Sequence, residues 1–147
     1  MLSAHELQQV LHNEIPLTQT IGIQVTECSP QRIELTAPLE PNINHKCTAF
    51  GGSLYSVAVL CGWSYVYQQM KLNQLTGHIV IQSSEVNYLQ PVDGDIRAIC
   101  EAENSPELKR FSKIYRRKGR ARIHLQVKIL FNNRVAVDFN GQYVVHC

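Results

Sequence analysis

The chain has 147 residues, of which 44% are hydrophobic and 18% charged. That is one domain with ample apolar surface for a core, which excludes a disordered chain and leaves no room for two independent cores. The formal charge of +2, from 14 Lys+Arg against 12 Asp+Glu, argues against a protein governed by a nucleic-acid or membrane field, yet eight of the 14 basic residues fall between Lys109 and Arg122.

Five cysteines (Cys28, Cys47, Cys61, Cys100 and Cys147) are scattered, odd in number and without a C-x-x-C pair. Neither a zinc ribbon nor a disulfide framework is expected, and no metal spacing appears among the histidines. No basic segment followed by an apolar run opens the chain, so a signal peptide is not expected and reduced thiols in the cytoplasm are. The stretch between Lys46 and Lys71 carries no charge and is long enough to span a bilayer. Its glycines, serines, tyrosines and glutamines, set among amphipathic strands, predict a helix buried inside a soluble fold instead.

In chain order, Ser3 and Glu6 have capping-box spacing, and Leu7, Val10, Leu11 and Ile15 recur at helical intervals up to Pro16. Ile21, Ile23 and Val25 alternate as a strand, and Ile33, Leu35 and Ala37 as its partner across Ser29-Pro30. A loop from Pro38 leads through Gly51-Gly52 into the uncharged helix. A strand over Ile79 to Leu89 ends at Pro91 and the Asp93-Gly94 turn, and Ile96, Ala98, Cys100 and Ala102 alternate after it. Ser105-Pro106-Glu107 predicts a helix start and Gly119 its end, with Leu108, Phe111, Ile114 and Tyr115 as the apolar stripe. Ala121 through Phe131 and Val135 through Tyr143 then alternate around a tight Asn132-Asn133 turn. This order predicts an α+β fold, an antiparallel sheet curled around one central helix. A helix apolar on nearly all sides needs more cover than one sheet provides, so a second subunit is expected.

The chemistry is sought in the loop Asn42-Ile43-Asn44-His45-Lys46-Cys47-Thr48-Ala49-Phe50-Gly51-Gly52-Ser53. Two glycines let a ligand approach the backbone, and they open a helix whose first N–H groups have no internal partner. Such donors favour an anion or a developing oxyanion. Asn44 adds a neutral donor for a carbonyl, and His45 a proton acceptor. The plainer alternative is a loop whose asparagines make turns and whose glycines allow tight packing.

The run Asn44-His45-x-x-Thr48-Ala49-Phe50-Gly51-Gly52-Ser53-Leu54 resembles the thioesterase family represented by the C-terminal domain of YiiD. The turn Tyr88-Leu89-Gln90-Pro91-Val92-Asp93-Gly94-Asp95 is similar to one common in hotdog proteins. The resemblance runs from about Leu7 to Val145. It implies a hotdog fold, a homodimer that can pair into a tetramer, and acyl-CoA or acyl-carrier-protein thioester hydrolysis at a subunit interface. Coenzyme A enters as part of the substrate, and no separate cofactor is implied. In related phenylacetyl-CoA thioesterases an Asn orients the thioester or the water, a His precedes Gly-Gly, and an Asp on the central helix is base or nucleophile. Asn44, Gly51 and Gly52 fit that pattern; Phe50 and Val59 stand where the His and the Asp would be and cannot replace them.

No carboxylate lies between Glu40 and Glu85, so the central helix offers no base, and Asn44, His45, Gly51, Gly52 and Glu85 are the expected catalytic set. Glu85 falls in phase with Ile79, Ile81 and Leu89 if its strand is regular, and is turned to the edge if the strand is bulged. Asn42, Thr48, Phe50, Tyr55, Ser56, Ser83 and Ser84 are the expected substrate contacts. Arg116, Arg117, Lys118 and Arg120 are expected to bind the phosphates of coenzyme A, the alternative being a solvated face. Cys61 reads as an inert buried thiol, and His124 as solvent-facing.

Two other readings compete: a non-catalytic acyl-CoA binding module of the same fold, and a CoA-dependent acetyltransferase. The latter rests on Arg116-Arg117-Lys118-Gly119-Arg120-Ala121, which satisfies the Arg-x-x-Gly-x-Ala pattern of GNAT enzymes. That loop belongs between a strand and a helix, and here the order is reversed. Neither a nucleic-acid nor a membrane partner is expected.

Overall fold

The computed structural model describes residues 1–102 and 106–147. The capping box forms: Glu6 N–H donates to Ser3 Oγ and Ser3 N–H to Glu6 Oε1, both at 3.1 Å. It opens α1 (Ala4–Glu14), which buries Leu7 and Leu11. The chain does not pass directly from Pro16 into a strand, as the alternation at Ile21 predicts. A one-turn helix α2 (Leu17–Ile21) intervenes and ends at Gly22, φ +83°. A side chain at Gly22 would be strained by that φ and would press on Pro38 at 2.9 Å, so the turn requires glycine. The strand therefore begins at Gln24.

The remaining elements follow the predicted order: β1 (Gln24–Cys28), β2 (Arg32–Ala37), α3 (Gly51–Leu72), β3 (His78–Tyr88), β4 (Ile96–Glu101), α4 (Pro106–Lys118), β5 (Arg120–Phe131) and β6 (Arg134–His146). The expected capping Ser105 lies outside the described residues. All pairings are antiparallel, in the order β1-β2-β4-β5-β6-β3, and the sheet curls around α3 as the hotdog expectation requires. Ala121, Ile123, Leu125, Val127 and Ile129 of β5 point to the core, and the residues between them to solvent. Asn132 and Asn133 take φ of +51° and +61°, the left-handed pair that a two-residue hairpin turn demands.

Three irregularities position the site. First, β3 has a bulge between Ile81 and Ser83 that shifts its register against β6. Side chains after the extra residue swap faces, so Ser84, Val86 and Tyr88 turn toward α3. Second, β4 and β5 pair only at Ala98–Ile129 and Ile99–Lys128. Beyond that point α4 lies along β5 in place of a strand, and Glu107 Oε1 accepts the His124 N–H at 2.9 Å. Third, Gly62 leaves room for Tyr143, whose hydroxyl an added Cβ would overlap. That hydroxyl donates to Val59 C=O at 2.7 Å, and burial pushes its pKa upward.

The core face of α3 carries Leu54, Val57, Ala58, Cys61 and Tyr65. Its opposite face is covered less fully. Ser56, Val59, Trp63 and Tyr67 recur at helical spacing and are only half-buried beside β3, the outermost strand on that side.

Candidate functional site at the start of the long helix

Helix α3 begins without a side-chain cap. Phe50 occupies the cap position in an extended conformation, and its side chain has no oxygen to offer. The first intrahelical bond runs from Leu54 N–H to Phe50 C=O at 3.0 Å, so the N–H groups of Gly51, Gly52 and Ser53 have no partner within the helix. An added Cβ at Gly52 would overlap the Phe50 ring, whereas one at Gly51 would only touch Tyr88 at 3.7 Å. Phe50 is 56% exposed and Tyr88 51% exposed, so two aromatic rings flank open helix-start donors.

Backbone bonds hold the loop ahead of the helix. Ala49 N–H donates to Val92 C=O and Phe50 N–H to Asn42 C=O, each at 2.7 Å. The Pro91–Asp95 turn, which the sequence marks as a motif, is thereby the wall against which the loop rests.

On the other side Tyr88 Oη donates to Gly51 C=O at 3.0 Å, and Tyr55 Oη is 2.6 Å from Ser84 Oγ. Burial, and then the neighbouring Tyr55, push the Tyr88 hydroxyl above its ordinary pKa, which keeps it a proton donor at neutral pH. Gly51–Tyr88 and Tyr55–Ser84 are thus two separate hydrogen-bonded pairs that tie β3 to the first turns of α3.

Several site expectations meet a different geometry. Asn42 is buried, and its side-chain nitrogen donates to Ile21 C=O at 2.9 Å and Pro38 C=O at 2.8 Å, so that nitrogen is spent on structure. Asn44 is not a free carbonyl donor. Its Oδ1 accepts the N–H groups of Lys46 (2.8 Å) and Thr48 (3.1 Å), and its nitrogen donates to Thr48 Oγ1 at 2.9 Å. This is an Asx turn that pins the loop, with Cys47 at φ +64° inside it. His45, on the same turn, is exposed. Ser56 Oγ donates back to Gly52 C=O at 2.9 Å. Because of the bulge, Glu85 and Ser83 face away from α3; Glu85 is exposed and pairs with Asn140. The in-phase expectation for Glu85 fails because it assumes an unbroken strand.

The basic residues lie elsewhere in the chain. Arg116 Nη2 donates to Asn73 C=O at 2.8 Å, just past the C-terminal end of α3. A 22-residue helix is about 33 Å long, so Arg116, Arg117, Lys118 and Arg120 sit at the far end of α3 from Gly51 and Gly52. Cys61 is fully buried and its thiol pKa is raised well above normal by burial, which keeps it protonated and inert. His124 is exposed, as expected. Tyr88 is the site residue that sequence reasoning missed, since only the bulge brings it to the helix.

The family described as "Putative thioesterase (yiiD_Cterm)" matches residues 4–147. A protein of unknown function from Chlorobaculum tepidum, OLEI01261, is 37% identical with a TM-score of 0.91, over 99% of this chain and 97% of its own. A protein from Shewanella oneidensis described as a putative thioesterase is 27% identical with a TM-score of 0.88, over 98% of this chain and 97% of its own. Thioesterase HI1161 from Haemophilus influenzae, at 17% identity and a TM-score of 0.74 over 99% of this chain and 92% of its own, shares the fold. A family match along nearly the whole length, on a hotdog frame with an uncapped glycine helix start, means that the chain belongs to this thioesterase-like family.

Proposed function

We propose that the protein hydrolyses an acyl thioester, of coenzyme A or of a carrier protein, at the start of α3. The observation that carries this reading is the uncapped trio of N–H groups at Gly51, Gly52 and Ser53, open between Phe50 and Tyr88. The thioester oxygen lodges against those donors, which grow in value as it becomes an oxyanion. Water attacks the carbonyl carbon while His45 takes its proton; the C–S bond then breaks and the thiolate leaves, taking up the proton that His45 holds. Asn44 is a positioning residue: its Asx turn fixes the segment that carries His45. Tyr88 holds the first turn through Gly51 C=O. Phe50 and Tyr55 offer apolar contact to the substrate.

A second copy of the chain completes the site in this proposal. The half-exposed stripe Ser56, Val59, Trp63, Tyr67 and the 11-residue edge strand β3 are the surfaces it would cover. A twofold pairing across them sets the two α3 helices antiparallel. Arg116, Arg117, Lys118 and Arg120 of one copy then come to the Gly51–Gly52 end of the other, where they can bind the phosphates of the thioester's carrier.

The test is thiol release from a panel of acyl-CoAs and acyl-carrier proteins, short to long and including aromatic, with wild type beside His45→Ala and Asn44→Ala. Turnover is expected to fall by about 100-fold in His45→Ala and about tenfold in Asn44→Ala. Release that ignores His45→Ala would overturn the assignment of the base. The second reading, a binding module, is favoured by one observation: the exposed Glu85 faces away from α3, so the site has no carboxylate from β3. Tight binding of acyl-CoA by calorimetry without any release would establish it.

A further inference from the structure

Helix α4 carries more cations than the helix dipole and the phosphate contacts proposed above account for. Lys109, Arg110, Lys113, Arg117, Lys118 and Arg122 are exposed, and among the described residues none forms an ion pair. The single acid in the helix, Glu107, spends a carboxylate oxygen on the His124 N–H. Cations in the last turn are favoured by the helix dipole, which accounts for Arg116, Arg117 and Lys118. Lys109, Arg110 and Lys113 lie before that turn and gain nothing there. Lys113 also faces like charges three and four residues away on both sides: Arg110 and Lys109, Arg116 and Arg117.

Shape narrows the partner. Arg110, Lys113, Ile114 and Arg117, spaced i, i+3, i+4 and i+7, line an open groove with the half-buried Ile114 among the cations. The stripe covers about two helical turns, roughly 10 Å. A groove this open, walled by the side chains of one helix, makes a poor cage for one phosphate. The helix's aromatic residues, Phe111 and Tyr115, are buried, so no stacking platform faces a nucleic acid. One isoleucine is too little apolar surface to hold a membrane. Cations around a central apolar residue are the complement of an acidic amphipathic helix on a protein.

We infer that the Arg110–Lys113–Ile114–Arg117 face of α4 docks an acidic protein, and that this protein is a carrier presenting the acyl thioester on its flexible phosphopantetheine arm. The second half of that statement rests on the thioesterase reading. The antiparallel pairing proposed above puts α4 of one copy at the same end of the assembly as the helix start of the other.

The experiment measures binding and turnover separately. Fluorescently labelled octanoyl-carrier protein of net negative charge is titrated by anisotropy with wild type and with Arg110→Glu/Lys113→Glu. Affinity is expected to fall at least tenfold in the double variant, and for wild type to fall steeply between about 50 and 300 mM salt. The milder Arg110→Gln/Lys113→Gln variant should fall between, with circular dichroism confirming an intact helix. In turnover, the charge-reversed variant should lose about tenfold in kcat/KM on the carrier substrate and stay within about twofold of wild type on octanoyl-CoA. Equal carrier binding by wild type and variant overturns the inference, as does tighter binding of a random DNA duplex than of carrier at physiological salt. Equal loss on both thioesters removes the carrier assignment. If carrier binding is lost in the variant but neither thioester is hydrolysed by wild type, docking stands and the hydrolytic reading falls.

Discussion

On the outer face of β2 and β4, Arg32 meets Glu27 at 3.0 Å, Glu34 at 3.6 Å and Glu101, while Arg97 meets Glu34 at 2.9 Å. Along α4 more cations are gathered, yet no described carboxylate pairs with them. The first surface is internally paired, with the Glu34 side chain only 15% exposed at its centre. Its charges answer one another and hold neighbouring strands together. The second repels itself, and within the described residues only two backbone carbonyls, Asn73 to Arg116 and Pro106 to Arg110, answer its cations. Counting basic residues would rank both surfaces alike in kind; the position of the acids separates a structural network from a free electrostatic surface.

That contrast is breakable. Glu34→Lys should have the largest effect, destabilising by about 2–3 kcal/mol in urea unfolding, because it sets a third cation between Arg32 and Arg97. Glu34→Gln removes only the charge and should cost about 1 kcal/mol at neutral pH. Partial burial pushes the Glu34 carboxyl up, but the Thr26 hydroxyl and the guanidinium groups of Arg97 and Arg32 outweigh it and hold the pKa below the ordinary value. A lowered folded pKa contributes stability above the unfolded value and loses it as pH falls through the folded one. Wild type and Glu34→Gln should therefore converge on acidification through the carboxylate range, and a gap that persists there would mean the charge is not its source. Smallest is Lys113→Glu, which should stabilise by about 0.5 kcal/mol as like-charge neighbours become attractive pairs, a gain that high salt removes. A loss of stability would mean that the α4 cations have structural partners.

The sequence made most of the fold legible, through period-two alternation in β5 and β6, the Ser3–Glu6 cap and the hotdog-like loop motif. It did not reveal α2, because the apolar spacing from Leu17 to Ile23 suits a helical turn or a strand start equally. Nor did it decide between the regular and the bulged β3 that it left open for Glu85. Gln82, Ser83, Ser84 and Glu85 are all polar, so no break in alternation marks the extra residue, and with it went the facing of Glu85 and Tyr88. Asn44 illustrates a deeper limit. An asparagine that closes an Asx turn and one that binds a substrate have the same neighbours in sequence, and only its hydrogen-bond partners tell them apart. The eight-cation cluster was visible at once. Its lack of carboxylate partners required knowing where the acids fold.

The side-chain carboxylate that stands in for a missing strand beside β5 has a consequence for exchange with solvent. The β5 amides that point to β6 are shielded by ladder bonds along the whole strand, so they open only when the sheet does. The His124 amide depends instead on Glu107, one side chain on α4. Its deuterium uptake therefore follows the seating of a single helix, independently of global unfolding. One backbone proton in the middle of a stable sheet becomes a built-in gauge of whatever holds, tilts or pulls that helix.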